Sequence, residues 1–252
     1  MLTHHANELP LEDSISDIVE KAAAGRGIDS ALPLESEEDL LRAETLLGLK
    51  TSSLAALRNW HPGPLEIPEG LTICTTTFHG LQVNSYLVRD AANEAMAFDT
   101  GSDCDPLLEV GARIRRIFVT HVHGDHIFDL DRFLEKTRAT AHVSAREGLA
   151  GAVPFDDGEE FQIGSLSVKA LKTDGHACGG TTFFVTGLEK PLAFTGDALF
   201  AGSMGGAPRK WSDALRSLRD VILKLPAETI LCPGHGPLTT VEIEQTHNPF
   251  AA

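Results

Sequence analysis

Four side chains that commonly bind metal ions occur within six residues of this chain: His121, His123, Asp125 and His126. Single histidines are usually satisfied by ordinary hydrogen bonds, and the chain has 11 of them. Packing three neutral imidazoles and a carboxylate so closely serves no structural need, and charging them together in apolar surroundings is costly. The spacing therefore favours a metal site over a coincidence of packing.

The residues before this cluster predict a buried strand. Residues 117–119 are β-branched and aromatic, so the cluster stands on the turn at a strand's end, where open α/β sheets usually build their sites. His121 and His123 are two residues apart and point the same way in an extended backbone. Gly124 lets the chain change direction, so the two residues that follow can face a second point in space. One short segment can then serve two metal ions.

Three further candidate ligands follow other predicted strands. His176 lies in a Gly-rich turn between two strand-like runs, and Asp197 ends the apolar run that begins at residue 193. His235 follows another apolar run and is held between glycines, which allow the backbone to turn tightly. Strand-end loops that carry histidine or aspartate are the layout of a site assembled at one edge of a sheet.

The order of these motifs, HxHxDH, GH, GD and PGHG, resembles the metallo-β-lactamase superfamily. Within that superfamily the pattern is closest to the hydroxyacylglutathione hydrolase-like (glyoxalase II-like) branch, and it runs from about residue 71 to the C-terminus. The resemblance implies an α+β fold, a four-layer αββα sandwich in which two mixed sheets lie face to face with helices outside. It also implies that the chain is an enzyme, a metallo-hydrolase.

The resemblance further assigns ligands to two adjacent metal ions. The first site corresponds to His121, His123 and His176, the second to Asp125, His126 and His235, and Asp197 to the carboxylate that bridges them. Asp99, which ends another apolar run, corresponds to an aspartate near the metals, and we expect it to support a ligand histidine.

Imidazole and carboxylate ligands suit Zn²⁺, Fe and Mn²⁺, and the matched ligands include no thiolate. We therefore expect two divalent metal ions, with zinc favoured and iron or manganese as alternatives. Two metals roughly 3.5–4 Å apart would share a water and lower its pKa toward neutrality, which creates a bridging hydroxide nucleophile. Asp125 is the predicted catalytic residue, because its carboxylate could orient that hydroxide and help move its proton. The expected reaction is hydrolysis of a small thioester, ester or lactone.

Two alternatives remain open. The first is a mononuclear non-haem iron persulfide dioxygenase, and the second is a non-enzymatic, metal-stabilised protein with a regulatory or assembly role. Glutathione hydrolases and persulfide dioxygenases usually carry a Gly-Arg element soon after the bridging aspartate, whereas residues 199–206 of this chain contain no arginine. The complete ligand set argues against the non-enzymatic alternative.

Other residues are assigned more loosely. Four are candidates for a substrate pocket, although each could equally be scaffold: His79, Phe128, Phe200 and Met204. Five histidines have no motif around them and are expected at the surface: His4, His5, His61, His142 and His247.

Composition excludes several classes of partner. The chain has 21 Lys+Arg against 36 Asp+Glu, and its formal net charge of -15 would repel phosphate backbones, so we expect a small-molecule substrate and no nucleic acid. No apolar run reaches the ~20 residues that span a bilayer, so no membrane is expected. Residues 1–8 lack the pattern of a secretory signal, and the four cysteines have no paired spacing. A cytoplasmic location is the simplest expectation.

The N-terminal part of the chain differs in kind. Residues 1–70 hold 13 acidic and 5 basic side chains, and three stretches starting near residues 15, 37 and 53 predict helices, the last extending to Trp60. The residues His61-Pro62-Gly63-Pro64 form a strong breaker. We predict an acidic helical extension over 1–64 and a catalytic domain over 71–252. The extension is expected to dock on the core or to mediate formation of a homodimer.

Overall fold

The computed structural model describes residues 9–28 and 31–252, so the first eight residues of the predicted extension, with His4 and His5, lie outside the described residues. The described residues form two six-stranded sheets, with helices on the outer face of each. The predicted αββα sandwich is confirmed. Among residues 9–28 and 31–252, no helix is both long and apolar enough to cross a membrane.

The first sheet is mixed. Its strands are adjacent in sequence order; the first three pair antiparallel, and the third to the sixth pair parallel. Parallel strands end at the same edge, so the loops that follow them meet there. The strands are β1 (Leu71–Phe78), β2 (Leu81–Arg89), β3 (Glu94–Phe98), β4 (Arg113–Phe118), β5 (Thr140–Ser144) and β6 (Val153–Phe155).

The second sheet is also mixed. Its neighbouring strands pair antiparallel, with one exception. The fourth and fifth strands in chain order pair parallel, which brings the two ligand-bearing loops that follow them to one edge. The strands are β7 (Glu160–Ile163), β8 (Leu166–Lys172), β9 (Thr181–Thr186), β10 (Leu192–Gly196), β11 (Ile230–Pro233) and β12 (Thr239–Thr240). Strand β8 shows the expected alternation, because Leu166, Val168 and Ala170 are buried.

The helices occupy the two outer layers. They are α1 (Ile15–Arg26), α2 (Glu37–Leu47), α3 (Ser53–Leu57), α4 (Asp105–Leu108), α5 (Gly124–Ile127), α6 (Leu130–Thr137), α7 (Trp211–Arg216) and α8 (Val241–His247). Helix α7 continues into a π-helical turn, Ser217–Val221, and a 3₁₀ turn, Ile222–Lys224. A last 3₁₀ turn covers Pro249–Ala251.

Three hydrophobic clusters of the described residues correspond to the three spaces between the four layers. The space between the sheets is filled largely by aromatic rings, with the Phe98 and Phe194 rings stacked 3.7 Å apart. Outside the first sheet, Phe133 of α6 lies in a cluster with Ile117 of β4. Outside the second sheet, Ile18 of α1 belongs to the same cluster as residues of β10 and β11. The N-terminal helices are thus part of the outer layer of the second sheet.

The two longer N-terminal helices begin where their polar residues predict. In α1 the Ser14 hydroxyl accepts the Asp17 N–H, and the Asp17 carboxylate accepts the Ser14 N–H in return. The same capping box precedes α2, which starts at Glu37 as predicted. Helix α3 is shorter than predicted and ends three residues before Trp60. The Trp60 ring instead stacks on the His247 ring at 5.1 Å, a contact with the far end of the chain that no local pattern indicates.

The surface assignment of the histidines without motifs is wrong at one position. His142 is only 7% exposed, because it lies on β5 with its ring between those of Phe118 and Phe161, at 5.3 and 5.1 Å. His61 is exposed, as expected, and its Nε2 contacts the Leu9 carbonyl oxygen at 2.8 Å.

Candidate metal centre

The seven predicted ligands lie at one edge of the sandwich. His121, His123, Asp125 and His126 follow β4, with the last two on α5. The other three come from loops of the second sheet. His176 follows β8, Asp197 follows β10 and His235 follows β11. In the structure they form two groups, and within each group the potential ligand atoms all lie within 4.8 Å of one another. The first group is His121, His123, His176 and Asp197, and the second is Asp125, His126 and His235.

In the first group, three ring nitrogens face one point. The Nδ1 atom of His123 lies 3.1 Å from Nε2 of His121 and 2.9 Å from Nε2 of His176. A tetrahedral ion bound at ordinary zinc–nitrogen distances would hold its ligands about 3.3 Å apart. The spacing therefore suits a small divalent cation.

The carboxylate of Asp197 lies between the two groups. Its Oδ2 is 3.3 Å from Nε2 of His176 in the first group and 3.5 Å from Nε2 of His235 in the second. Its Oδ1 is 3.2 Å from Nε2 of His126, yet neither of these two buried atoms has a hydrogen-bond partner among the residues that the structure describes. Buried polar atoms rarely lack a partner, so their convergence favours a bound ion at this point.

The opposite ring nitrogens of two ligand histidines face backbone carbonyl oxygens. The Nδ1 atom of His176 lies 3.0 Å from the Gly206 carbonyl oxygen, and Nδ1 of His235 lies 2.5 Å from the Gln82 carbonyl oxygen. A carbonyl only accepts, so each Nδ1 carries a proton, and in the neutral ring the lone pair available to a metal is then on Nε2, which faces the centre of the site. This is the form in which histidine binds a metal.

Asp99 organises two more histidines in the same way. Its carboxylate accepts from the Thr120 N–H at 2.8 Å and the Thr120 hydroxyl at 2.7 Å, and it contacts Nδ1 of His126 at 2.8 Å. The Thr120 oxygen in turn lies 3.1 Å from Nδ1 of His121. Asp99 has a φ of 54°, a left-handed conformation that aspartate tolerates better than most residues. One turn at the end of β3 thus orients a histidine in each group.

Burial and the buried carboxylates act on the histidines of the site in opposite directions, and burial prevails at His121 and His176, where it lowers the pKa. Burial alone would lower the pKa of His126, but the charges of Asp197 and Asp99 raise it to about 10. Burial would raise the pKa of Asp197, yet His126 and the other histidines hold it well below its usual value. Burial likewise opposes ionisation of Asp125, but a hydrogen bond with His235 lowers its pKa to about 2. The centre therefore presents two ionised carboxylates, an environment that attracts cations.

Close approach at the centre requires glycine at position 234. A Cβ atom there would stand 2.4 Å from Oδ1 of Asp197 and 2.5 Å from Cε1 of His126, so any side chain would displace both. The PGHG motif is therefore needed for its first glycine as well as for its histidine.

Some supporting residues have no signal in the sequence. The Glu147 carboxylate accepts the Val122 N–H at 3.2 Å and also the Gly179 N–H, and so it links the loop of His121 and His123 to the loop of His176. Thr120 and the two accepting carbonyl groups are likewise visible only in three dimensions.

The four candidate pocket residues lie in different environments. His79 is exposed in the turn between β1 and β2, and Phe128 is 65% exposed; both rings contact the Phe78 ring, at 4.5 and 5.4 Å. Phe200 is buried, with its ring 5.6 Å from that of His235. Met204 is 1% exposed and belongs to the cluster beneath the outer helices, so its side chain does not line an open site.

Comparisons with known proteins give the family. Residues 79–235 match the model of the metallo-beta-lactamase superfamily. A hydroxyacylglutathione hydrolase of Cereibacter sphaeroides is 32% identical over 163 residues, which are 60% of this chain and 61% of that protein.

Solved structures agree. The crystal structure of ETHE1 from Myxococcus xanthus has a TM-score of 0.62 and 28% identity, and the match covers 71% of this chain and 84% of that one. The structure of TTHA1623 in a di-iron-bound form has a TM-score of 0.56 and 26% identity, and the match covers 70% of this chain and 99% of that one. The chain therefore belongs to the metallo-β-lactamase superfamily, as an enzyme of its metallo-hydrolase class.

Proposed function

We propose that the chain is a binuclear metal-dependent hydrolase that acts on a small thioester, ester or lactone. The observation that carries the proposal is the orientation of His126, His176 and His235, whose outer nitrogens meet hydrogen-bond acceptors while their inner nitrogens face the other ligands and two ionised carboxylates. Two divalent cations held there would supply a hydroxide nucleophile at neutral pH and polarise the substrate carbonyl.

Three aspartates have separate proposed roles around those ions. Asp197 faces both groups and is the proposed bridging ligand. Asp125 lies beside His235, with its Oδ2 3.2 Å from Nε2 of that ring, and stays ionised. Its carboxylate is therefore available to orient the attacking oxygen and accept its proton. Asp99 keeps His126 and, through Thr120, His121 in the orientation that binding requires.

Zinc is the proposed resident metal, with iron or manganese as alternatives, because imidazole and carboxylate suit all three. The likeness to TTHA1623, solved in a di-iron-bound form, supports a two-ion centre and keeps iron in consideration.

The substrate is proposed to enter beside Phe128. Its exposed ring packs against Phe78 near His79 and offers an apolar edge for an acyl or thioester group, with Phe200 on the side of His235. The hydroxyacylglutathione hydrolase among the relatives supports a thioester as the first substrate class to assay.

The test is Asp197→Ala, assayed for metal content and for hydrolysis of a panel of thioesters, esters and lactones. We expect both to fall together, with turnover reduced on the order of 10³-fold or more, because one carboxylate serves both ions. Asp90→Ala is the matched control: Asp90 is also buried, but it accepts the N–H groups of Ala92 and Glu94 at the opposite edge of the first sheet. Full turnover by Asp197→Ala would overturn the binuclear mechanism.

A second candidate is a mononuclear iron persulfide dioxygenase, which the likeness to ETHE1 fits. In that case the first group would hold a single iron, and the protein would consume oxygen with a persulfide and leave thioesters intact.

A further inference from the structure

The segment that precedes α1 lies directly on the metal edge. A Cβ atom on Gly236 would stand 3.2 Å from the Glu12 nitrogen and 3.5 Å from its Cβ, so the segment packs against the loop of His235 without a gap. Glu12 is half-buried at this contact.

An ion pair joins this segment to the loop after the bridging aspartate. The Lys21 ammonium donates to the Asp13 carboxylate at 2.5 Å and to the Met204 carbonyl oxygen at 3.1 Å, and the Ser203 hydroxyl donates to the same carboxylate at 2.5 Å. The ammonium also lies 5.2 Å from the centre of the Phe200 ring. The side chain of Asp13 is only 7% exposed and that of Lys21 22%, so water screens this pair weakly.

The loop held by this pair, residues 199–206, touches two of the ligands. The Gly205 N–H donates to the Asp197 carbonyl oxygen at 3.0 Å, and the Gly206 carbonyl oxygen accepts from Nδ1 of His176 at 3.0 Å. A Cβ atom on Gly205 would stand 2.1 Å from the Asp197 carbonyl oxygen and 2.8 Å from Nδ1 of His176. The loop is therefore in direct contact with both ligands. Lys21 thus binds the residue next to the one that contacts Asp197.

The loop is also held from the other side. The buried Glu244 carboxylate accepts the Gly202 N–H at 3.0 Å, and the Asn248 amide donates to the Ser203 carbonyl oxygen at 2.9 Å. These bonds fix the middle of the loop, whereas the bond from Lys21 fixes Met204, immediately before the two glycines that contact the ligands.

We propose that the N-terminal segment, residues 9–21, is part of the active site, with Asp13 and Lys21 as positioning residues for His176 and Asp197. The inference rests on the proposed function, in which the side chains of His176 and Asp197 hold a metal ion. It extends the shared fold, because residues 9–21 lie outside the part of the chain that matches the superfamily, residues 79–235. The extension therefore prepares the first metal site in addition to covering the sheet.

The test is Lys21→Met in the full chain, compared with Lys50→Met as a matched control. Lys50 also crosses from the extension to the core and donates to two carbonyl oxygens, those of Gln245 and Thr246, but these lie on α8 and not on the ligand loop. The measurement is stepwise binding of Zn²⁺ to protein stripped with a chelator, followed by competition with a chromogenic chelator. The ligand-field spectrum of the Co²⁺-loaded protein is recorded in parallel.

We expect Lys21→Met to weaken one of the two binding steps about tenfold, the low end of the 10–100-fold range for groups that orient metal ligands, and to change the Co²⁺ spectrum. Lys50→Met should match the wild type within about twofold, and Lys21→Arg should restore most of the lost affinity because it keeps the charge and the donors. Equal metal affinity and an unchanged spectrum in Lys21→Met would overturn the proposal.

Lys21→Met leaves the Asp13 carboxylate without its cation, so the double variant Asp13→Asn/Lys21→Met provides a second measurement. It removes both charges together and should fold with a melting temperature near that of the wild type. It should still show the weakened Zn²⁺-binding step of Lys21→Met. A double variant that folds and binds both ions normally would reject the positioning role. Failure of the proposed function looks different: the wild type would bind two ions and hydrolyse nothing, while the difference between Lys21→Met and Lys50→Met persisted.

Discussion

Buried histidines occur in two regions of this molecule, and the two regions treat them differently. At the metal edge, His121, His126 and His235 are 2%, 0% and 3% exposed, and their ring nitrogens converge on neighbouring nitrogens and carboxylates. Between the sheets, His142 is 7% exposed, and neither of its ring nitrogens has a hydrogen-bond partner within the described part of the chain. Burial is nearly equal, so the convergence of ring nitrogens is what distinguishes a ligand from a packed ring.

The shift in pKa differs between His142 and His126. At His142, burial and the nearby Arg116 charge lower the pKa, so the ring is held neutral among phenylalanines. At His126, the carboxylates of Asp197 and Asp99 overcome burial and raise the pKa to about 10. The carboxylates thus favour positive charge at His126, a condition that suits cation binding, although burial lowers the pKa of His121 and His176 as it does that of His142.

The largest predicted difference comes from making the same substitution in both regions. His121→Phe should lose metal and reduce hydrolysis on the order of 10³-fold, because a ligand of the first group is gone. His142→Phe should keep the metal content and turnover of the wild type within about twofold, since phenylalanine suits the surrounding rings. Elemental analysis and steady-state kinetics on the two variants check this. Comparable losses in both would mean that convergence is not the distinguishing feature.

A smaller effect is expected at Asp99. Asp99→Asn cannot accept from both Thr120 and His126 as the carboxylate does, so metal affinity should fall about 10–100-fold. Thr120→Val sharpens the prediction, because it removes the hydroxyl beside His121 but leaves the bond to His126. In the same metal titration, Thr120→Val should lose less metal affinity than Asp99→Asn. The reverse order would contradict the role given to the carboxylate.

Glu244 is a buried acid whose contacts are hydrogen bonds rather than ligands. Its carboxylate accepts from Gly202, Thr239 and Asn248, and burial raises its pKa to about 7. The folded state thus holds a proton between about pH 4.5 and 7 that the unfolded state releases, so this group lowers stability as pH rises through that window. Glu244→Ala should cost about 1–3 kcal/mol in the free energy of unfolding at pH 5, because three donors lose their acceptor.

The measurement is urea unfolding of the wild type, Glu244→Ala and Glu244→Gln at pH 5 and pH 8. Glu244→Gln keeps most of the contacts without the charge, so its stability relative to the wild type should improve from pH 5 to pH 8. A constant difference would argue against a raised pKa.

The smallest effect is expected at His142. Its folded-state pKa lies below the ordinary 6.5, so the unfolded chain binds a proton that the folded chain does not, and wild-type stability falls as pH drops through about 6.5. His142→Phe removes this dependence. Its free energy of unfolding should match the wild type near pH 8 and exceed it increasingly toward pH 5. Parallel pH profiles for the two proteins would contradict this assignment.

Local patterns predicted what depends on local geometry. The strand-end motifs predicted the ligands that converge, the resemblance that they carry implied the sandwich, and the capping pattern predicted the start of α1 and α2. They did not predict the burial of His142, because the strand gives no sign of the two phenylalanines packed on it. The bond from Lys21 to Met204 joins residues 183 positions apart, and the stack of Trp60 on His247 spans a similar separation. Contacts of that range have no signature in spacing or composition.

The most direct measurement is the metal content per chain, determined by elemental analysis of full-length protein purified without added metal, beside a thioester-hydrolysis assay. The proposal of a binuclear hydrolase predicts close to two divalent ions per chain and thioester turnover. A single iron per chain, with no hydrolysis and with oxygen consumed in the presence of a persulfide, would contradict it.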